Sequence, residues 1–214
     1  MSSFTHSEVL QESGIAAIYV LATNIFSRVL LTRSNICQLI YAALDKFILQ
    51  ESLARTAITT FRTLSPEQEA RNVMESIHTS KLTVRAMEAH PMSVPLQRDA
   101  CALLSNLAVD IDRQQVKIVP KKEIVSIVVA MSNHKMTISI LSSACFALKN
   151  LTYEDENCRS LQNCPNSMVL LQYAATSEDA SKCEVDAATI LERLTLAKSM
   201  DESVYEHAMT YLQS

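Results

Sequence analysis

Two stretches decide the fold: Ala100-Cys-Ala-Leu-Leu-Ser-Asn-Leu-Ala108 and Ala144-Cys-Phe-Ala-Leu-Lys-Asn-Leu-Thr152. They agree at an alanine, a cysteine, a leucine, an asparagine and a closing leucine, each 44 residues apart. Two further segments, Leu53 to Leu64 and Cys183 to Leu194, fall into the same register. The closing leucines Leu64, Leu107, Leu151 and Leu194 are spaced by 43, 44 and 43 residues. An alanine stands seven residues before each of them (Ala57, Ala100, Ala144, Ala187). A large apolar side chain stands three residues before each: Phe61, Leu104, Leu148 and Leu191. Eleven residues before come Leu53, Leu96, Ile140 and Cys183. Offsets of this kind trace one face of a helix. The small alanine in mid-face marks where a neighbouring helix comes close.

A second register confirms the period. Ala43-Leu44, Ala86-Met87, Ala130-Met131 and Ala174-Ala175 are spaced by 43, 44 and 44 residues. Each precedes the alanine of the first register by 13 or 14 residues, so a second helix ends just before each long one begins. Ile124, Ile127, Val128 and Met131 give that helix its apolar stripe. What remains of each unit is short, as in Asp112 to Val119 and Glu156 to Gln162, and is read as a third, short helix. Pro120 and Cys164-Pro165 follow these segments, where proline stops one helix or starts the next.

The chain therefore divides into units at 24–64, 65–108, 109–152 and 153–196, within one domain of 214 residues. Partial or capping helices are expected at 5–22 and 201–213. Gly14 to Leu21 lies 43 residues before the first long helix and reads as a degenerate version of it. Ser203 to Leu212 reads as a cover for the last unit, because the stacking face of a terminal repeat is otherwise exposed.

Composition agrees with an all-α fold. The chain is 48% hydrophobic and only 5% aromatic, without tryptophan, so its core is aliphatic. Gly14 is its single glycine. Ordinary chains carry roughly 7% glycine, and hairpin turns depend on it. A glycine-poor sheet protein of this length would be hard to build. The net charge of −4 argues against a general nucleic-acid binder. Six cysteines in 214 residues do not form a dense secreted framework, and reduced core thiols of a cytoplasmic or nuclear protein fit better. Met1 to Leu10 lacks the basic start and apolar core of a secretory signal. Apolar runs such as Ile15 to Ala22 end well short of the roughly 20 residues a bilayer span requires.

The two quoted stretches resemble the long-helix motif of the armadillo family, roughly Ala-x-x-Ala-Leu-x-Asn-Leu-Ala. The resemblance covers about residues 24–196 and is sharpest in the two central units. It implies a right-handed superhelical solenoid of about four three-helix repeats, whose long helices line a concave groove for extended peptides. The sequence departs from the family in two places. Pro120-Lys121-Lys122 and Pro165-Asn166-Ser167 stand where the family separates its short and middle helices with glycine. Members that grip lysine-rich signals also carry a tryptophan four residues before the groove asparagine; Ala102 and Phe146 occupy those positions here. Recognition of lysine-rich signals is not expected.

The motif's groove asparagine corresponds to Asn106 and Asn150. A side-chain amide both donates and accepts, so it can hold the backbone of an extended peptide; the alternative is that these amides brace neighbouring helices. The outer units place Thr63 and Arg193 there. Phe146 is an aromatic contact for a ligand or a local packing residue. Arg55, Arg98, Lys149 and Arg193 give the long helices a basic excess. That excess favours an acidic peptide, or it is simply a solvated face. His90 and His134 recur 44 residues apart at helix ends, where a cation complements the helix dipole. Cys158 and Cys164 lack the spacing and companions of a zinc site. No phosphate-binding loop or nucleophile elbow is present. The sequence thus points to a non-catalytic monomer that binds another protein or an extended peptide, with no cofactor or metal. The alternative is a structural section of a larger repeat assembly, or a self-associating scaffold, with two-helix HEAT-type rather than armadillo units.

Overall fold

The computed structural model describes residues 7–110, 114–176 and 183–212, and side chains as far as residue 198. These residues form twelve helices and one small hairpin. In chain order the helices are α1 (Glu8–Ala22), α2 (Ile25–Thr32), α3 (Ile36–Lys46), α4 (Glu51–Leu64), α5 (Gln68–Ser76) and α6 (Thr79–Ala89). They continue with α7 (Val94–Ala108), α8 (Lys121–Asn133), α9 (Ile138–Leu151), α10 (Asp155–Gln162), α11 (Ser167–Thr176) and α12 (Glu184–Leu212). The hairpin pairs β1 (Val109–Asp110) with β2 (Gln115–Val116). Among the described residues no helix is long and apolar enough to cross a membrane.

Local chemistry sets several boundaries. The Ser7 hydroxyl accepts from the Leu10 amide at the start of α1. Asn24 accepts from the amides of Phe26 and Ser27, and so separates α1 from α2. Proline opens α7, where its missing N–H costs nothing. Two junctions between a short and a middle helix need a left-handed residue. His78 (φ 57°) supplies it before α6, and Asn166 (φ 63°) supplies it before α11. Asn166, in the Pro165-Asn166-Ser167 segment, adopts the left-handed conformation that glycine takes most readily.

The long helices pack in succession: α1 on α4, α4 on α7, α7 on α9 and α9 on α12. The middle helices follow the same order, α3, α6, α8 and α11. All four register alanines, Ala57, Ala100, Ala144 and Ala187, are fully buried. So are Leu53, Phe61, Leu64, Leu96, Ile140 and Leu148, in one continuous core. Polar contacts obey the same period. Thr59–Asp99, Asn106–Ser65, His90–Ile48, His134–Pro91, Arg193–Lys149 and Asn150–Ser105 join residues 40 to 45 positions apart.

Two expectations are corrected. The short helix expected over Asp112–Val119 does not form over the described residues 114–119. Extended chain stands there instead: Val109 pairs with Val116, Asp110 with Gln115, and the Lys117 amide donates to the Ala108 carbonyl at 2.8 Å. β-Branched Val109, Val116, Ile118 and Val119 favour this geometry. Asp112 itself lies outside the described residues. The separate cover helix expected over 201–213 is not a separate element either, because α12 runs unbroken from Glu184 to Leu212. No proline or glycine interrupts that span. Residue 213 lies outside the described residues.

Candidate protein-binding face

All seven residues singled out from the sequence lie on the long helices: Arg55 on α4, Arg98 and Asn106 on α7, Phe146, Lys149 and Asn150 on α9, Arg193 on α12. The structure separates six of them into two groups, and Asn106 belongs to neither.

The first group surrounds a buried carboxylate. Asp99, on α7, is 2% exposed. Its Oδ1 faces Arg98 Nε at 2.9 Å and Arg62 Nε at 3.5 Å, while its Oδ2 accepts from the Thr59 hydroxyl at 2.7 Å. A carboxylate taken out of water needs such company. The three partners come from α4 and α7, so Asp99 ties the two helices together. Arg98 is thus partly committed within the molecule. Arg55 is exposed and has no ion-pair partner among the described residues. Arg55, Arg62, Arg98, Thr59 and Tyr19 line a cleft of about 280 Å³ over Asp99.

The second group lies on α9 and α12. Phe146 is 46% exposed, and the Lys149 ammonium sits 5.3 Å from its ring centre. Lys149 also donates to Asp186 Oδ1 at 2.5 Å. The Arg193 guanidinium stacks 3.7 Å from the ring centre of Tyr153, which is 66% exposed. Arg193 donates to the Lys149 carbonyl at 2.6 Å, which fixes the stack. Beside this cluster, Asn150, Tyr153, Glu154 and Val116 border a cleft of about 790 Å³.

The asparagines brace neighbouring helices. Asn106 Nδ2 donates to Ser65 Oγ at 2.8 Å, and Asn150 Nδ2 donates to Ser105 Oγ at 3.1 Å. Arg193, in the equivalent position of the last unit, also reaches back to the preceding unit. Each bond uses one of the amide's two hydrogens, and the side-chain carbonyl remains as a further acceptor. Asn150 still borders the larger cleft. The two histidines close helices and tie units together at once. His90 Nε2 donates to the Ile48 carbonyl at 2.7 Å, and His134 Nε2 to the Pro91 carbonyl at 2.8 Å.

Three contributors escape the sequence motif: Asp99, Arg62 and Tyr153. Register carries a signal for the first two. Asp99 and Asp186 both stand eight residues before a closing leucine, and Arg62 and Lys149 both stand two residues before one. Each acid pairs with the cation of the preceding unit. Tyr153 lies just past its closing leucine, outside the repeating face, and no spacing marks it.

The six cysteines are buried and outside any disulfide. Burial pushes the Cys37 thiol up to about 11 and Cys101 up to about 12. It raises Cys145, Cys158, Cys164 and Cys183 as well. Thiols of this kind stay protonated and poorly nucleophilic at neutral pH. Among the described residues, no three His, Cys, Asp or Glu side chains gather where they could hold a metal ion. No family model matches the sequence, and no curated protein matches it.

Proposed function

We propose that this chain is a non-catalytic armadillo-type repeat module that binds a segment of another protein along its long helices. One observation carries the reading. The exposed rings of Phe146 and Tyr153, with the half-buried cations Lys149 and Arg193 against them, lie beside a cleft bordered by Asn150. Aromatic and arginine side chains supply most hot spots of protein interfaces. Here they are held in place before any partner arrives, which lowers the ordering cost of binding. Contacts between successive long helices, and polar bonds one period long, support a solenoid of four units. Three helices in the first, second and fourth units favour armadillo over HEAT geometry. Buried thiols outside any disulfide suit the cytoplasm or nucleus.

The second reading, a section of a larger or self-associating assembly, has its own support at α1. Four residues before the closing leucine, Thr60, Leu103, Ala147 and Ile190 are fully buried. The equivalent Ala17 is exposed, as are Leu10 and Leu21, which correspond to the buried Leu53 and Leu64 of α4. These are the positions that a preceding long helix covers in the other units.

A displayed peptide library panned on the purified chain tests the first reading. Wild type is expected to enrich a peptide family, and Phe146→Ser/Tyr153→Ser to weaken its binding by about 2 kcal/mol or more. Both side chains are exposed, so the variant keeps its fold. If the variant retains the same peptides at the same affinity, this face is not the site. A chain that enriches nothing and sediments as a concentration-dependent oligomer supports the second reading instead.

A further inference from the structure

The cleft over Asp99 has a charge balance that goes beyond a generally basic face. Arg55, Arg62 and Arg98 bring three positive charges to it, and Asp99 removes one. Two positive charges therefore remain in one concavity of a chain whose net charge is −4. Arg55 and Arg98 are register equivalents, 43 residues apart, on adjacent helices. Equivalent residues on packed helices are separated by about 8–10 Å. Arg55 and Arg62 thus come to the cleft from α4 and Arg98 from α7, with Arg62 facing Asp99. Asp99 is 2% exposed and acts as the anchor: it orients Arg62 and Arg98 and is itself held by the Thr59 hydroxyl. Arg62 Nε is shielded from solvent and makes no hydrogen bond; Asp99 faces it only at ion-pair distance. The Tyr19 side chain, from α1, closes one side of the cleft.

We infer that this cleft is a subsite for a phosphorylated side chain of the bound segment, a phosphoserine or phosphothreonine. The inference rests on reading the long-helix face as a protein-binding surface. A phosphomonoester carries about −1.5 to −2 charges at neutral pH and three acceptor oxygens. That matches the residual charge of the cleft, and the oxygens can engage guanidinium forks from both helices. A glutamate or aspartate side chain brings one charge and leaves the other uncompensated. An uncharged side chain leaves both.

The test is a titration of the full chain with N-acetyl-phosphoserine amide, followed by arginine Nε–H resonances. N-acetyl-glutamate amide and N-acetyl-serine amide serve as comparators. Saturable shifts are expected at the arginines of the cleft, with glutamate weaker by about tenfold and serine silent. Arg55→Gln, an exposed substitution outside the Asp99 ion pairs, is expected to weaken the phosphoserine response by about tenfold. Phe146→Ser/Tyr153→Ser is expected to leave that response intact, because neither ring lines this cleft. Failure of the peptide-binding reading is therefore distinguishable from failure of the subsite. Equal responses to glutamate and phosphoserine would reduce the cleft to a carboxylate site and overturn the inference. So would an Arg55→Gln variant that binds like wild type, or shifts that never saturate. Sedimentation with vesicles of anionic phospholipid, lost in Arg55→Gln while phosphoserine fails to saturate, would assign the cleft to a membrane surface instead.

Discussion

A single buried amide shows how much one residue holds. Asn157, on α10, is 1% exposed and uses both ends of its side chain. Its Oδ1 accepts from the Val119 amide at 3.0 Å, and its Nδ2 donates to the Lys117 and Leu151 carbonyls, each at 3.0 Å. It therefore fastens the extended segment after the hairpin to the end of α9. Asn157→Ala takes this partner from the Val119 amide and the Lys117 carbonyl, while the Leu151 carbonyl keeps the Glu154 amide, and is expected to cost about 3 kcal/mol in urea unfolding. A loss below about 0.5 kcal/mol would show that water replaces the amide. The role is invisible in the sequence, because Asn157 sits in a polar run at the start of a short helix. Asn106 and Asn150 are the opposite case. The motif singles them out, yet their bonds to Ser65 and Ser105 depend on which hydroxyl the neighbouring unit presents.

At the scale of elements, the junctions between short and middle helices decide how each unit turns. A left-handed conformation costs a non-glycine residue about 1–2 kcal/mol, and asparagine tolerates it better than most. Asn166 is thus well chosen, and His78 is not. His78 is exposed, so its side chain contributes little packing. His78→Gly is expected to raise stability by about 1 kcal/mol, and Asn166→Gly by clearly less, in parallel thermal melts. Equal gains at both sites would mean that the backbone conformation is not the deciding factor. The third unit shows the limit of pattern reading. A short helix is expected there from the count of residues alone, whereas β-branched Val109, Val116 and Val119 can pair or stack only once α7 and α10 are in place.

The whole molecule carries a pH signature from its buried thiols. An unfolded cysteine ionises near pH 8.5, whereas Cys37 and Cys101 are held up to about 11 and about 12. Below the unfolded value both states keep the proton, so the stabilisation is fully present. Above it the unfolded chain gives up protons that the folded chain retains, and stability falls until the folded thiols ionise in turn. The expected loss is about 1 kcal/mol per pH unit for each such thiol above pH 9. Cys101→Ala should flatten this slope between pH 8 and pH 10, measured by urea unfolding at each pH. An unchanged slope would assign alkaline sensitivity to other groups.

The period, the helix faces and the core were legible in the sequence alone. Helix geometry turns sequence spacing directly into a buried face, so Ala57, Ala100, Ala144 and Ala187 announce their burial without reference to a partner. The same logic placed Arg55, Arg98, Asn106, Phe146, Lys149, Asn150 and Arg193 on the long helices. Their division into two groups, with Asn106 in neither, came only from tertiary structure. So did the convergence of Arg62, Arg98 and Thr59 on Asp99, and of Arg193 on Tyr153. Apart from Arg98, the neighbour of Asp99 on α7, these contacts join side chains some 40 residues apart. Which two meet depends on how one helix lies against the next, and no local pattern encodes that.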